Sequence, residues 1–460
     1  MAGKPLLNQD FFGKTHVKPQ KSQVVKSLTG TIQTPGDKSI SHRALMIGGL
    51  AVGETNIEGL LEGEDVLATA TALRALGVFV EKKAAGTWRV RGLGVGGLQE
   101  PGSILEMGNS GTAARLLIGV LAGHPMSATL SGDVSLSGRP MGRVTEPLSL
   151  MGAHFQSRSG GRLPLSISGL ADPQPIDYQL PVASAQVKSA ILLAGLSAPG
   201  ITSVVEPKPT RDHTERMLRH FGAQVDVEDL ADGGRRVSVH GQPELVAHDI
   251  IVPGDISSAA FPMVAALTVP GSKISLPGVG INPLRAGVIE TLKEMGGAVT
   301  YENERREGGE AVADLSVESS ALQGISVPAG RAPSMIDEYP IVAVAAACAK
   351  GTTRLEGLSE LRVKESDRLA GMARGLRACG VEVEEGDDFL VIDGTGAPPK
   401  GGAHIQTELD HRIAMSFLVL GMVTAEPVTI DDGDPIETSF PGFTTLMNGL
   451  GGKIEGDLNQ

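Results

Sequence analysis

A helix-like segment that ends on a glycine and runs straight into a strand-like segment occurs six times in this chain. Self-similarity at roughly 75-residue spacing means an architecture of equivalent units packed together, and few folds satisfy it. The segments are ATALRALGVFVE, TEPLSLMGAHFQ, TERMLRHFGAQVDV, IETLKEMGGAVTY, MARGLRACGVEVEE and TTLMNGLGGKIEG, with Gly77, Gly152, Gly222, Gly296, Gly380 and Gly451 at the junctions. A glycine just past a helix end adopts the left-handed conformation without a Cβ penalty, so each junction reads as a helix C-terminus. Apolar residues at three- and four-residue spacing give these helices one buried face and one exposed face.

Six helices of a second kind alternate with the first: HRALMIGGLA, GTAARLLIGVLAG, AQVKSAILLAGL, SSAAFPMVAALTV, EYPIVAVAAACAK and RIAMSFLVLGMV. They are apolar nearly all round and so belong in the interior. Aromatic residues are only 3% of the chain, so the cores are aliphatic, and 61 glycines among 460 residues allow close backbone approach. Each apolar helix follows a short polar cluster: GDKSIS, MGNS, VASA, PGDI, SMID or ELDH. Such clusters cap helix N-termini. If buried helices expose only these ends, and the ends meet in one cleft, their dipoles build an anion site.

Each unit reads as β-α-β-α-β-β, which makes the class α/β. The phrase IIVPGDISSAAF at 250–261 restarts the pattern of TIQTPGDKSISHRA at 31–44, so the six units divide three and three. The expected organisation is a polar N-terminal tail over 1–26, one lobe over 37–253, and a discontinuous lobe from 27–36 plus 254–460. A hinge is expected near 33–37 and 250–255. The tail has five Lys, one Asp and no Arg, and lacks the apolar core of a signal peptide.

A net charge of -13 and scarce aromatics argue against a nucleic-acid partner. No apolar run reaches the roughly 18 residues of a membrane span. Cys348 and Cys379 form no disulfide framework and no zinc spacing, which fits a reducing compartment. Gly92 to Gly97 matches G-x-G-x-x-G, but LQEPGS follows where a dinucleotide fingerprint needs a helix. P-loop, GxSxG, HExxH and CxxC patterns are absent.

Several motifs carry anion chemistry. Lys38, Ser39 and Arg43 combine a point charge, a hydroxyl and a bidentate fork at a helix start, where cations oppose the dipole and so are poor choices for stability. Asn109, Ser110, Gly111 and Thr112 lead directly into a helix, a pattern that also fits a plain capped turn. Arg139 and Arg143 lie in SGRPMGR, and Ser184, Ala185, Gln186 and Arg211 stand in further short polar clusters. Asp337 follows in SMIDE. Lys364, Glu365 and Arg368 join a carboxylate to cations, as acid–base work on an anion requires, although the same spacing suits a surface ion pair. Arg412 follows Asp410 and His411.

Together, PGDKSISHRAL, GNSGTAARLL, GRPMGRV, ASAQVKSAILLAG, TRDHTERML, APSMIDEYP, LRVKESDRL and LDHRIAMSF resemble the 5-enolpyruvylshikimate-3-phosphate synthases, in order and from about residue 27 to 455. The wording RPMGRV, SAQVKSA and SMIDEYP is similar to the bacterial class II form. The resemblance implies a two-lobed inside-out α/β barrel of six βαβαββ units, three per lobe, with buried helices whose N-termini face the interlobe cleft. The implied reaction moves the enolpyruvyl group of phosphoenolpyruvate onto the 5-hydroxyl of shikimate 3-phosphate, in aromatic amino acid biosynthesis. It implies no metal and no organic cofactor, no nucleic-acid or membrane partner, and a cytoplasmic monomer.

The resemblance also implies roles. Lys38 touches both substrates. Ser39, Arg43, Ser184, Ala185, Gln186, Arg211, Asp337 and Lys364 hold shikimate 3-phosphate. Asn109, Gly111, Arg139, Gln186, Arg368 and Arg412 surround phosphoenolpyruvate. Lys38, Asp337 and Glu365 move protons. One departure is Thr438, in IETSFP, which stands where the class I pattern has a lysine. The family's inhibitor glyphosate occupies the phosphoenolpyruvate site, and tolerant class II relatives have Ala at the place of Gly111, so glyphosate is expected to compete here. The sister family that transfers enolpyruvyl to UDP-N-acetylglucosamine commonly uses a loop cysteine as acid, whereas both cysteines here fall in the second half. A non-catalytic anion-binding protein on the same fold could dispense with Lys38, Glu365 or Arg412, and all three are present.

Overall fold

A computed structural model describes residues 18–456. Among these, the strands form six four-stranded sheets, one for each repeat. The third unit shows the pattern plainly. Asp177–Gln179 pairs in parallel with Ile201–Glu206 across the helix Ala185–Gly195. The helix His213–His220 then leads to Val225–Asp229 and Arg235–His240, which complete the sheet antiparallel.

Three sheets borrow a strand from a distant part of the chain. Ile250–Ile251 pairs in parallel with Val52–Glu58 and completes the first unit. Thr29–Thr31 does the same for Lys273–Gly280 in the fourth. Gln20–Ser22 lies antiparallel between Val428–Ile430 and Ile454–Gly456 in the sixth. The polar tail expected over 1–26 is therefore corrected at its end: backbone pairing recruits Gln20–Ser22, and Val25 is buried in the core. Its beginning, 1–17, lies outside the described residues.

Two hydrophobic cores result. One unites Ile40 through Val252, and the other unites Val25, Leu28 and Ile32 with Ile256 through Ile454. The chain passes between them twice, and the two passages hold each other. Gly36 and Gly254 form an antiparallel bridge, with Asp37 N–H donating to Pro253 at 2.8 Å and Asp255 N–H to Pro35 at 2.9 Å. A Cβ on Gly36 would stand 1.9 Å from the Gly59 carbonyl oxygen, so only glycine fits there.

The apolar helices are Lys38–Leu50, Gly111–Ala122, Ala185–Gly195, Ile256–Thr268, Tyr339–Cys348 and His411–Leu420. Each is interior, as its composition requires. Ile256 through Leu267 are all buried, and each large aliphatic side chain so placed is worth about 1.5–3 kcal/mol. Gly119 lets two of them touch, because a Cβ there would sit 2.3 Å from the Ala190 carbonyl oxygen. The outer helices are Glu64–Ala75, Gly142–Leu150, His213–His220, Gly287–Glu294, Arg368–Ala378 and Phe443–Gly449. The glycine after each has φ between +82° and +109°, the conformation expected from the repeat.

Candidate active site

The six buried helices all begin at one cleft of about 470 Å³. Lys38, Thr112, Ala185, Asp255, Asp337 and His411, each in or beside a first turn, line it. Side chains of Asp37, Ser110, Ser184, Asp255 and Asp410 cap five of the helices, each accepting from one backbone N–H of the first turn. Among the described residues the lining carries ten Lys and Arg against five Asp and Glu, in a chain whose net charge is -13. A second hollow of about 540 Å³ lies on an outer sheet, lined by Ser127, Thr129, His154, Gln156 and Ser166, with no Lys or Arg. Among the described residues that lining offers an anion no cationic side chain.

The fifteen residues to which the resemblance gives a site role all line this cleft: Lys38, Ser39, Arg43, Asn109, Gly111, Arg139, Ser184, Ala185, Gln186, Arg211, Asp337, Lys364, Glu365, Arg368 and Arg412, whereas Arg143 and Asp410 of the same motifs lie outside the lining. They come from both cores and meet across the space. Asp337 receives Arg211 Nη2 at 2.7 Å from the opposite lobe, with Lys364 Nζ at 3.2 Å and Arg368 Nη1 at 3.3 Å on its own. Burial would raise its pKa, but Lys364, Arg211, Arg412 and Arg368 outweigh that and hold it well below the usual carboxylate range. Glu365 accepts a short hydrogen bond from Arg368 and stands 3.9 Å from Arg139. Burial again raises its pKa, and the charges of Arg368, Arg139 and Lys38 bring it well below the normal value. Both carboxylates are ionised at neutral pH.

The cations are held as firmly. Arg368 is 1% exposed and also donates to Asp410 at 2.8 Å. Arg139 donates to Asn109 at 2.5 Å and Ser135 at 3.0 Å. Arg412 donates to Ser257 at 2.6 Å and to the Asp337 carbonyl at 3.0 Å. Arg43 is anchored by Thr214, Ser189 and the Ser39 carbonyl. Guanidinium groups fixed in this way meet an incoming anion with little reorganisation.

Several further lining residues have no role implied by the resemblance. Asp65 pairs with Lys38 at 3.0 Å, from the first turn of an outer helix. Arg115 donates to Gln186 at 2.8 Å; it lies one turn beyond Gly111, in a motif already noted, and that spacing was the available signal. Arg285 is buried on Glu338, and only folding brings the two together. Asp255 is the counterpart of Asp37 in the repeated P-G-D phrase. His411 is pushed down to about 3 by burial, so its imidazole is neutral. Thr438 lies outside the lining, where its hydroxyl donates to the Pro435 carbonyl, and its own carbonyl faces Gly63 of the other lobe.

Comparison with known proteins gives this geometry its family. A family model described as EPSP synthase (3-phosphoshikimate 1-carboxyvinyltransferase) matches residues 22–447. The chain belongs to the EPSP synthase family. A 3-phosphoshikimate 1-carboxyvinyltransferase of Paramagnetospirillum magneticum is 62% identical over 96% of this chain and 99% of its own. One of Granulibacter bethesdensis is 64% identical over 91% and 93%. The solved EPSP synthase of Acinetobacter baumannii has a TM-score of 0.86 at 48% identity, covering 96% of this chain and all of that one. The enolpyruvyl transferase NikO of Streptomyces tendae, at 17% identity and TM-score 0.76, shares the two-lobed fold. As an EPSP synthase the chain is an enolpyruvyl transferase of aromatic biosynthesis. Among the described residues, no helix is long and apolar enough to cross a membrane.

Proposed function

We propose that this cleft takes phosphoenolpyruvate and shikimate 3-phosphate together and joins them by addition and elimination. The observation that carries this reading is the excess of cations around six helix N-termini, with two carboxylates, Asp337 and Glu365, held among them. The substrates bring two phosphates and a carboxylate, and the excess charge suits that load.

The enol phosphate of phosphoenolpyruvate becomes electrophilic at C2 only when its methylene carbon is protonated. The 5-hydroxyl then forms the new C–O bond as it loses its proton. The tetrahedral intermediate next breaks the C2–O bond to phosphate and returns a proton from the methyl group. In this reading Glu365 carries the methylene proton, and Asp337 orients the 5-hydroxyl and takes its proton with Lys38. Arg139, Arg368 and Arg412 clamp phosphoenolpyruvate, with Asn109, Gly111 and Gln186 beside it. Ser39, Arg43, Ser184, Ala185, Gln186, Arg211 and Lys364 hold shikimate 3-phosphate. Glu365 starts ionised; negative charge arriving on Arg368 and Arg139 weakens their hold on it and raises its proton affinity.

The lobes move as bodies of 37–253 and of 27–36 with 254–460, the latter also taking in Gln20–Ser22, about the paired passages near 33–37 and 250–255. The protein works as a monomer in the cytoplasm. A coupled assay of phosphate release with both substrates, and with each alone, tests the reaction. Release that does not require shikimate 3-phosphate would contradict it.

A further inference from the structure

Lys188 is the one charged side chain inside the helix Ala185–Gly195, and it is 0% exposed. Its ammonium stands 3.1 Å from Glu206 Oε1 and 2.7 Å from Glu215 Oε1, and these carboxylates are 0% and 1% exposed. Burial would lower the Lys188 pKa, but Glu215 and Glu206 outweigh it and raise the value, so the lysine stays charged. Three buried charges are an expensive arrangement, and apolar trios of similar volume are often as stable or more so. The trio therefore calls for another explanation.

Its position supplies one. Glu206 ends the strand Ile201–Glu206, and Glu215 lies in the first turn of the helix His213–His220. Residues 207–212 between them have no regular structure, and this loop carries Lys208 and Arg211 into the cleft. Lys188 thus ties the two ends of the loop from beneath. It also donates to the Thr210 carbonyl at 3.3 Å, while Glu206 accepts from Thr210 N–H at 3.1 Å and from its hydroxyl at 2.6 Å. Both backbone groups of the residue before Arg211 are fixed by one buried ion pair. The next residue on the helix, Ser189, bonds Thr214 at 2.7 Å and receives Arg43 at 2.9 Å, so the same turn sets a second cation.

We propose that Lys188, Glu206 and Glu215 are positioning residues that hold the Lys208–Arg211 loop, and with it the end of the cleft that receives shikimate 3-phosphate. The proposal rests on the assignment of Arg211 to that substrate, and the test separates the two.

The triple variant Lys188→Met/Glu206→Leu/Glu215→Leu removes the charges together and strands none. It should fold, with KM for shikimate 3-phosphate raised at least about tenfold, the loss expected when charge-assisted hydrogen bonds stop fixing a binding group. KM for phosphoenolpyruvate at saturating shikimate 3-phosphate, and kcat, should stay within about twofold, because the other substrate's clamp is untouched. In an Arg211→Ala background the triple should add little, since it acts through Arg211. A folded triple variant with unchanged KM for shikimate 3-phosphate, an equal loss for both substrates, or full additivity with Arg211→Ala would each overturn the proposal. If Arg211→Ala itself leaves that KM unchanged, the site assignment has failed, and the positioning role falls with it. Should the triple variant not fold, Thr210→Val removes the hydroxyl donor to Glu206 alone. A rise of about threefold in the same KM supports the role, and no change overturns it.

Discussion

Arg211 reaches from one lobe to Asp337 on the other, its Nη2 2.7 Å from the carboxylate Oδ2. The bridge spans the substrate cleft, and Arg143 and Glu360 approach at 3.4 Å on its rim. Two separate hydrophobic cores are thus fastened by polar contacts, some of them across the cleft, while the chain itself joins them at the paired passages at Gly36 and Gly254.

Substrate-dependent closure follows from that arrangement. In solution without ligand, the radius of gyration from small-angle scattering should exceed that of the structure described above. Saturating shikimate 3-phosphate should reduce it, because in the proposed site the ligand links cations of one lobe to Asp337 and Lys364 of the other. A radius that does not change on binding would count against a hinge at 33–37 and 250–255.

Asp255 gives a pH-dependent stability with a definite sign. Burial, and then the neighbouring charge of Asp37, push its carboxyl up to about 6, with Arg285 opposing. An unfolded aspartate titrates near 4, so between about 4 and 6 the folded state binds more protons and stability falls as pH rises. Asp255→Asn keeps a good helix cap and removes the ionisation. Urea unfolding should show a gain of about 3 kcal/mol at pH 7.5 and little or none at pH 4. Equal effects at both values would be inconsistent with a raised pKa. Asp337 and Glu365 act in the opposite direction: their depressed values add stability above about 4, and it is lost as pH falls through the folded pKa.

Gly111→Ala tests how tightly the proposed phosphoenolpyruvate end is packed. A Cβ there would stand 2.9 Å from Arg115 Nη1 and 3.2 Å from Arg139 Nη1, so the methyl first displaces two guanidinium groups. Both are ends of flexible side chains and can shift. KM for phosphoenolpyruvate should rise by about 2- to 10-fold, and the inhibition constant of the longer glyphosate by more, up to about 150-fold. Equal changes for the two ligands would show that Gly111 does not discriminate between them.

Much of this architecture is legible in the sequence because it is repetitive. A helix, a glycine with positive φ and a strand recur at Gly77 and five further junctions, and helices as apolar as Tyr339–Cys348 have nowhere to go but inside. The borrowed strands were harder to read: Gln20–Ser22 and Ile250–Ile251 are three and two residues long, too short for any alternation to show. The residues that line the cleft could be named in large part from motifs, since Lys and Arg at helix starts are otherwise poor choices. Asp65, Arg285 and Glu338 could not, because each owes its role to a partner tens of residues away. Lys188 sat inside a recognised motif, yet its two carboxylates emerge only when the loop at 207–212 folds over it.

In the proposed mechanism Glu365, held among Arg368, Arg139 and His411, carries the proton that makes phosphoenolpyruvate electrophilic. The most direct test is phosphate release by Glu365→Gln with both substrates saturating, beside calorimetric titration of the same variant with shikimate 3-phosphate. Glutamine keeps the shape and loses the proton, so binding of shikimate 3-phosphate should stay within about threefold while kcat falls by about 10²- to 10⁴-fold, the usual worth of a general acid–base group. An unchanged kcat in a variant that still binds shikimate 3-phosphate would contradict the account.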